Sequence, residues 1–464
     1  MIELSLGEIA DALGAELLGN RATVITGSVE TDSRLITPGA LFIAKPGDAT
    51  DGHNFVEAAL AAGAVAAIVE HRVEADLPQL VVSNSVAALG QLAALVLARV
   101  RQSGQLKVIG ITGSNGKTTT KNLLRAVLSQ VGKTVAPIES FNNEVGAPIS
   151  VLRIEADTKF LIVEMGAAGP GSIRYLARMT KPDVGVVLKV GMAHVGEFGS
   201  IEVTAEIKGE LVEELPAHGT VILNADDAAV VAMKKRTDLK PVWFGTSSAD
   251  YRADEIELTS QGTRFRMHWP DQAAQQVLLQ ILGEHQVMNA LATLAVADQL
   301  GVDRKSAVSA LESVPLAERW RMQVFNRPDG VTIINDAYNA SPESMRAALQ
   351  TLAQLGLSGG RTIAILGEMA ELGEFAADAH DALGRLVVRL NIGQLIAVGA
   401  GAKLIHMGAS QEGSWDGESK YFDSIDEAKE HLRGMLVAGD IVLVKSSKSA
   451  NLRHLGDDLV EVPS

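Results

Sequence analysis

The run Ile109-Gly110-Ile111-Thr112-Gly113-Ser114-Asn115-Gly116-Lys117-Thr118-Thr119-Thr120 constrains this chain more than any other segment. An apolar stretch from Leu106 to Ile111 reads as a buried strand. A glycine-rich turn follows, and Lys117-Thr118 opens a helical pattern that runs to Leu128. Strand, loop and helix in that order make a phosphate-binding loop, with backbone N–H groups aimed at a polyphosphate and the positive end of a helix behind them. In this reading Gly113, Ser114, Asn115, Gly116 and Thr119 surround the phosphates, Lys117 neutralises the terminal ones and Thr118 holds Mg²⁺. The spacing departs by one residue from GxxxxGK[ST], since Ile111 stands where the first glycine is due and the glycine is Gly110.

Composition narrows the class. A chain of 464 residues implies two or three domains. A net charge of −15 argues against nucleic-acid binding, which needs clustered cations, though an anionic ligand still fits a local pocket. With no cysteine, thiolate metal sites, disulfides and thiol nucleophiles are excluded. Met1-Ile2-Glu3-Leu4 has no signal-peptide layout, and no apolar run reaches about 18 residues, so no membrane span is expected. A cytoplasmic, monomeric enzyme is the expectation.

The chain reads as α/β throughout, in three blocks. Residues 1–104 hold a helical pattern from Leu6 to Leu13, strand-like pieces between Val24 and Phe42, and strands at Ala66–Val69 and Leu80–Val82. Residues 105–318 carry the phosphate loop, strands at Phe160–Val163, Val184–Leu188 and Val221–Leu223, a β-rich stretch over 240–282 and a helix from His285 to Leu300. Residues 319–464 carry strands at Val331–Ile334, Thr362–Leu366, Leu395–Val398 and Ile441–Val444 with helices between, a second doubly wound unit.

Several residues suit chemistry at strand ends. Glu164 follows a buried strand beside the phosphate loop, where a Mg²⁺ ligand belongs, although a strand-end glutamate also caps helices. His194 follows the next strand. Taken alone it is a loop histidine; beside Glu164 it becomes a second metal ligand. Lys208 lies mid-helix and alone reads as solvated, and Asn142-Asn143 reads as a turn. Asp336, with Asn339 and Ser341 after it, and Lys445-Ser446-Ser447-Lys448 also follow strands, as ligand groups or as caps and solvated turns. Metal ligands without a thiol or serine nucleophile suit one reaction: a carboxylate takes the γ-phosphoryl group of ATP and an amine then displaces the phosphate.

Thr112-Gly113-Ser114-Asn115-Gly116-Lys117-Thr118 resembles the loop of the Mur ligases and folylpolyglutamate synthases, whose glycine is offset in the same way. Phe141-Asn142-Asn143-Glu144-Val145-Gly146-Ala147-Pro148, Asp336 through Met345 and Leu366-Gly367-Glu368-Met369-Ala370-Glu371-Leu372-Gly373 are similar to the Mur ligase that joins D-alanyl-D-alanine to UDP-MurNAc-tripeptide, and the likeness covers essentially the whole chain. The resemblance implies three α/β domains: an N-terminal uridine-nucleotide-binding domain, a central P-loop ATPase domain and a C-terminal Rossmann-like domain that binds the dipeptide and closes on ATP. It implies catalytic and metal roles for Lys117, Thr118, Glu164, His194 and Lys208, the last at the position where several Mur ligases carry a carbamylated lysine. It places Asn289 near adenine, and Arg321, Asp336 and Asn339 at the nucleotide across the domain junction. Substrate positions are Ser33, Arg34 and His53 in the first domain, Asn142 and Asn143 in the second, and Lys445 and Ser447 in the third. Glu368 and His380 are candidates for binding or deprotonating the incoming amine. Three departures stand out: Trp320-Arg321 where the family usually has Gly-Arg, Lys445-Ser446-Ser447-Lys448 where it has Lys-Gly-Ser-Arg, and the atypical segment Ala44-Lys45-Pro46-Gly47. The sister ligase that adds the third peptide residue usually carries Asp-Asn-Pro-Arg, which is missing here, and folylpolyglutamate synthases usually lack the first block.

Overall fold

The computed structural model describes residues 1–461 except 48, 49, 103, 139, 194, 260, 316, 317, 358 and 414–417. His194 therefore lies outside the described residues. Three α/β sheets, each with helices, follow one another along the chain. The first has five strands, with Val29–Glu30, Leu41–Ile43, Ala66–Val69 and Gln79–Val81 parallel and Glu16–Leu18 antiparallel at the edge. Ser33 and His53 lie in the segments that leave the carboxyl ends of two adjacent strands, where ligands of open α/β sheets bind.

The central sheet has nine strands. Lys107–Thr112 lies between Phe160–Glu164 and Val184–Val187, all parallel, with Glu164 paired to Ile111 and Val187 to Thr112. The chain leaves this strand to one side, through Thr134–Val135 and Phe160–Glu164, and then crosses to its other side at Val184–Val187. Lys107–Thr112 is the topological switch point, and the crevice at its carboxyl end receives the phosphate loop, Glu164 and the segment after Val187. Tyr251–Thr259 is a strand inside the stretch read only as β-rich. A bulge between Asp254 and Glu257, with Glu255 at φ 50°, breaks its alternation, so charged side chains obscured its period. It pairs with Gly262–His268, and the edge strand beyond runs over Gln275–Leu279, earlier than the apolar run Val277 to Leu282 suggests.

The third sheet has six strands in the order Gln323–Asn326, Thr332–Asn335, Ile441–Lys445, Thr362–Leu366, Gln394–Val398 and Ser419–Phe422, the first antiparallel. Asn335 pairs with Val444 and Leu366 with Lys445, so Asp336, Lys445 and Glu368 emerge at one end. That end faces the phosphate loop. Behind it, Met345, Leu349 and Leu352 of the helix Pro342–Gly356 share an apolar cluster with Val287, Leu291 and Leu294 of the central helix Glu284–Gln299.

Candidate functional site

Steric demand fixes the shape of the phosphate loop. Gly116 has φ 87°, and a Cβ there would stand 2.4 Å from Asn289 Oδ1, so only glycine lets the loop pass the helix Glu284–Gln299. Thr112 Oγ1 donates to the Met165 carbonyl (2.9 Å), and Ser114 Oγ accepts the Gly191 N–H (2.9 Å), which binds the loop to both neighbouring strand ends. Lys117 then turns back, its Nζ donating to the Gly113 carbonyl at 2.6 Å. Burial holds its pKa below the usual lysine range, against the attraction of Glu164.

A cavity of about 300 Å³ opens over this loop. Its walls bring together Ser114, Asn115, Gly116, Lys117, Thr118, Thr119, Asn142, Glu164, Lys208 and Asn289 of the central domain with Arg321, Asp336, Asn339 and Lys445 across the junction. Glu164 is buried; its Oε1 accepts from Thr118 Oγ1 (3.2 Å) and Asn142 Nδ2 (2.9 Å), while its Oε2 has no partner among the described residues. Asn115 Nδ2 and Arg321 Nε are likewise buried without partners. Satisfied interiors seldom leave such atoms. An anionic carboxylate oxygen beside a threonine hydroxyl suits a hard divalent cation, and stranded N–H groups suit phosphate oxygens. The residues present thus fit both Mg²⁺ and a nucleotide, although three acidic or histidine groups do not cluster among the described residues.

Lys208 is not solvated. It sits on the helix Ile201–Glu213, 1% exposed, and its Nζ lies 5.9 Å from the Phe198 ring centroid with no hydrogen bond among the described residues. Burial, followed by the charge on Lys117, lowers its pKa to about 7.

The junction supplies the far wall. Arg321 lies 4.3 Å from the Tyr338 ring centroid and donates to Thr118 Oγ1 at 3.3 Å. Ser341 caps the helix Pro342–Gly356, as the cap reading has it, and its hydroxyl also donates to Asn115 Oδ1 at 3.2 Å. Asp336 is fully engaged: Oδ1 accepts the Met322 N–H (3.0 Å) and Oδ2 the Lys445 ammonium (2.6 Å). Lys445 is buried, not a solvated turn, and Ser447 Oγ accepts the Ala370 N–H. Asn339 is exposed and its carbonyl accepts from Lys445. Trp320 and Met322 flank Arg321 at φ 59° and 49°. Such left-handed conformations cost an L-residue roughly 1–2 kcal/mol.

Other predicted residues are placed differently. Asn143 Oδ1 accepts the Val145 and Gly146 N–H groups, which is turn chemistry rather than substrate contact. Asn289 spends its amide on Thr120 (3.3 Å) and Gln286 (2.8 Å). His380 is corrected most. It is buried, with Nε2 accepting the Met369 N–H (2.9 Å) and Nδ1 facing the Ala376 carbonyl (2.6 Å), so neither nitrogen is left for an amine. His53 is similar, with Nε2 accepting the Glu70 N–H (2.8 Å) and Nδ1 against Asp51 (2.6 Å). Both rings hold loops. Arg34 is exposed and paired with its neighbour Asp32.

A second cavity, about 320 Å³, shares Asn115, Gly116 and Asn289 with the first and is walled by Phe244, Ile256 and Met288 with Asn224 and Asp226 at its polar rim. An apolar slot continuing from a phosphate site suits a flat base. Sequence reading missed it because its walls come from separate strands and one helix. His285 borders both cavities, and burial lowers its pKa to about 4 against the pull of Asp336, so it is neutral at physiological pH.

Comparison with known proteins decides the family. Models for the Mur ligase family, catalytic domain, for the Mur ligase middle domain and for the Mur ligase, glutamate ligase domain match residues 26–97, 111–297 and 320–448. The UDP-N-acetylmuramoyl-tripeptide–D-alanyl-D-alanine ligase of Mycobacterium tuberculosis is 43% identical over 99% of this chain and 98% of its own. This chain belongs to the Mur ligase family. Among solved structures, MurF from Acinetobacter baumannii matches with a TM-score of 0.90 at 32% identity, covering 99% of each chain. MurF ligase from Thermotoga maritima in complex with ADP matches with a TM-score of 0.82 at 28% identity, over 94% of this chain and 98% of that one. This Mur ligase is therefore α/β in all three of its domains, and no helix among its described residues is long and apolar enough to cross a membrane.

Proposed function

We infer that this Mur ligase joins D-alanyl-D-alanine to UDP-MurNAc-tripeptide in peptidoglycan precursor synthesis, consuming ATP through an acyl phosphate. It is an ATP-dependent, amide-forming ligase, working in the cytoplasm as a monomer. The observation that carries the reading is the cavity between the phosphate loop and the C-terminal sheet, with its stranded Glu164 Oε2, Asn115 Nδ2 and Arg321 Nε. In outline, residues 1–104 bind the uridine nucleotide near Ser33, Arg34 and the loop that His53 holds. Residues 105–318 bind ATP, and residues 319–464 bind the dipeptide.

Lys117 leaves the Gly113 carbonyl and neutralises the γ-phosphate, while Arg321 meets the same group from the other side. Thr118 and Glu164 would hold Mg²⁺, with His194 as a further ligand. Bound Mg²⁺ neutralises polyphosphate charge. Lys208 supports a carbamate: a buried ammonium beside Lys117 is electrostatically unfavourable and its pKa falls to about 7, whereas the neutral amine adds to carbon dioxide, gives up one N–H proton to solvent and becomes an anionic carbamate attracted by that lysine. Asp336, clamped by Lys445 and Met322, presents the ribose side of the junction. Glu368, half-buried and touched by Ser449 Oγ at 3.2 Å, is the carboxylate left to bind the incoming amine once His380 is committed to the backbone.

The tripeptide carboxylate oxygen attacks the γ-phosphorus and ADP leaves; the dipeptide amine then attacks the acyl carbon and phosphate leaves. With ¹⁸O in the tripeptide carboxylate, one labelled oxygen is expected in the released phosphate. Label in ADP, or in neither product, overturns the acyl-phosphate route.

A further inference from the structure

We infer that the pivot between the central and C-terminal domains is the Glu318–Arg319 peptide, and that Trp320 and Asp457 are positioning residues which make Arg321 travel with the C-terminal domain. The inference rests on the ligase reading only for the role of Arg321 at phosphate; the pivot itself is read from contacts.

Allegiance changes across one peptide bond. Glu318 Oε2 accepts from Asn122 Nδ2 at 2.6 Å and lies 3.9 Å from Lys121 Nζ, both on the phosphate-loop helix Lys117–Leu128. The next residue, Arg319, donates to Asp457 at 2.9 Å in the C-terminal helix Leu452–Asp458. Trp320 Nε1 donates to both Asp457 oxygens at 3.0 Å, and the Trp320 carbonyl accepts the Tyr338 N–H at 3.2 Å. Asp457 also accepts Asn335 Nδ2 at 3.1 Å, which ties this anchor to the strand end that carries Asp336. The indole is further flanked by the Arg319 and Arg453 guanidinium groups at 4.5 and 5.5 Å from its centroid.

Trp320 holds a φ of 59°, a conformation that glycine adopts without strain. An aromatic residue stays there only when its surroundings over-determine it. Here the indole N–H, the two cation–π neighbours and the backbone hydrogen bond do so. Arg321 therefore starts from a backbone locked to the C-terminal body and lies over Tyr338 of the same body, while its tip reaches back to Thr118 of the phosphate loop. Any rotation at Glu318–Arg319 moves that tip relative to the loop, and any slack at Trp320 uncouples it.

Trp320→Phe keeps the ring and removes the donor; Asp457→Ala removes the shared acceptor and stands in should the first variant fold poorly. Each is expected to lower the ligation kcat by about tenfold, within the up to about 10² that small misplacements cost. In an Arg321→Ala background Trp320→Phe is not expected to lower kcat further, because the group it positions is gone, and Asp457→Ala is expected to retain only the part of its effect that runs through Asn335. Losses that multiply in the double variants, as a general stability defect gives, overturn the proposal. The absence of cysteine allows spin labels at only two introduced sites, Ser129→Cys and Glu430→Cys, both exposed in their respective domains. Either positioning variant is expected to broaden the distance distribution between them, and an unchanged distribution overturns the pivot assignment. If ligation is absent in the unmodified protein, the ligase reading fails while the spin-label distances still test the pivot.

Discussion

The two domain junctions of this Mur ligase are built differently. Between the first and central domains the helix Ser85–Arg101 packs Leu89, Leu92, Val96 and Val100 into one apolar cluster with Ile173, Leu176 and Leu161. Its polar seam is largely paired: Arg101 donates to the Lys181 carbonyl (2.6 Å) and to Asp183 (3.2 Å), and Asp183 accepts the Val108 N–H (2.8 Å), which leaves only Arg101 Nε of this seam buried without a partner among the described residues. Between the central and C-terminal domains, Met345, Leu349 and Leu352 pack against Val287, Leu291 and Leu294 behind the site. The front is polar and strands Asn115 Nδ2, Glu164 Oε2, Arg321 Nε and Glu343 Oε2. One junction reads as a weld, the other as a surface whose partners arrive with the ligand. Unsatisfied buried groups lower the stability of a closed, empty state, and binding polyphosphate and metal offsets that cost.

The contrast breaks most readily at Lys117. Lys117→Ala is expected to lower kcat by about 10²–10³, by analogy with the loss of one preorganised electrostatic donor, with the fold intact by circular dichroism. Unchanged kcat would mean that the polar junction does not serve phosphate transfer.

Lys208→Ala is expected to lower activity roughly 10–100-fold, the range for loss of a group supporting a metal site. Short carboxylic acids should partly restore it if the missing group is a carbamate; restoration is read from initial rates against added acetate. The pH dependence has a definite sign. Only the neutral amine takes up carbon dioxide, so bicarbonate activation of the unmodified protein should rise as pH increases through about 7. Stability of the unmodified lysine form should rise as well. The folded lysine releases its proton near 7 and the unfolded one near the ordinary lysine value of 10.5, so between them the unfolded chain holds the extra proton. Lys208→Ala should lose both slopes.

The smallest effect sharpens the other side. Asp183→Ala leaves the Val108 N–H without its acceptor and Arg101 with backbone carbonyls alone, and is expected to cost about 1–3 kcal/mol. Thermal unfolding should begin earlier while kcat per folded molecule stays constant. A fall in kcat comparable to that of Trp320→Phe would show the first junction to be as active in the reaction as the second.

Some of this was determined by the sequence alone. The phosphate loop, its strand and its helix are local: apolar run, glycines and Lys-Thr stand within a dozen residues, so one-dimensional pattern suffices. Buried parallel strands such as Ala66–Val69 and Thr362–Leu366 are legible for the same reason, being short continuous apolar runs bounded by turns. Glu164 was found because a carboxylate at a strand end has a predictable place once the sheet is parallel. Tertiary structure alone decided whatever depends on who stands opposite. It turned His53 and His380 from candidate ligands into loop-holding groups, because both nitrogens of each ring meet partners that spacing does not announce. It buried Lys208 and Lys445, which look solvated on paper, and assembled the apolar slot of Phe244, Ile256 and Met288 from distant segments. It also showed why Trp320 tolerates a glycine-like backbone. A hydrogen bond to Asp457, 137 residues away, has no trace in local pattern, because the energy that selects it comes from packing between elements rather than within them.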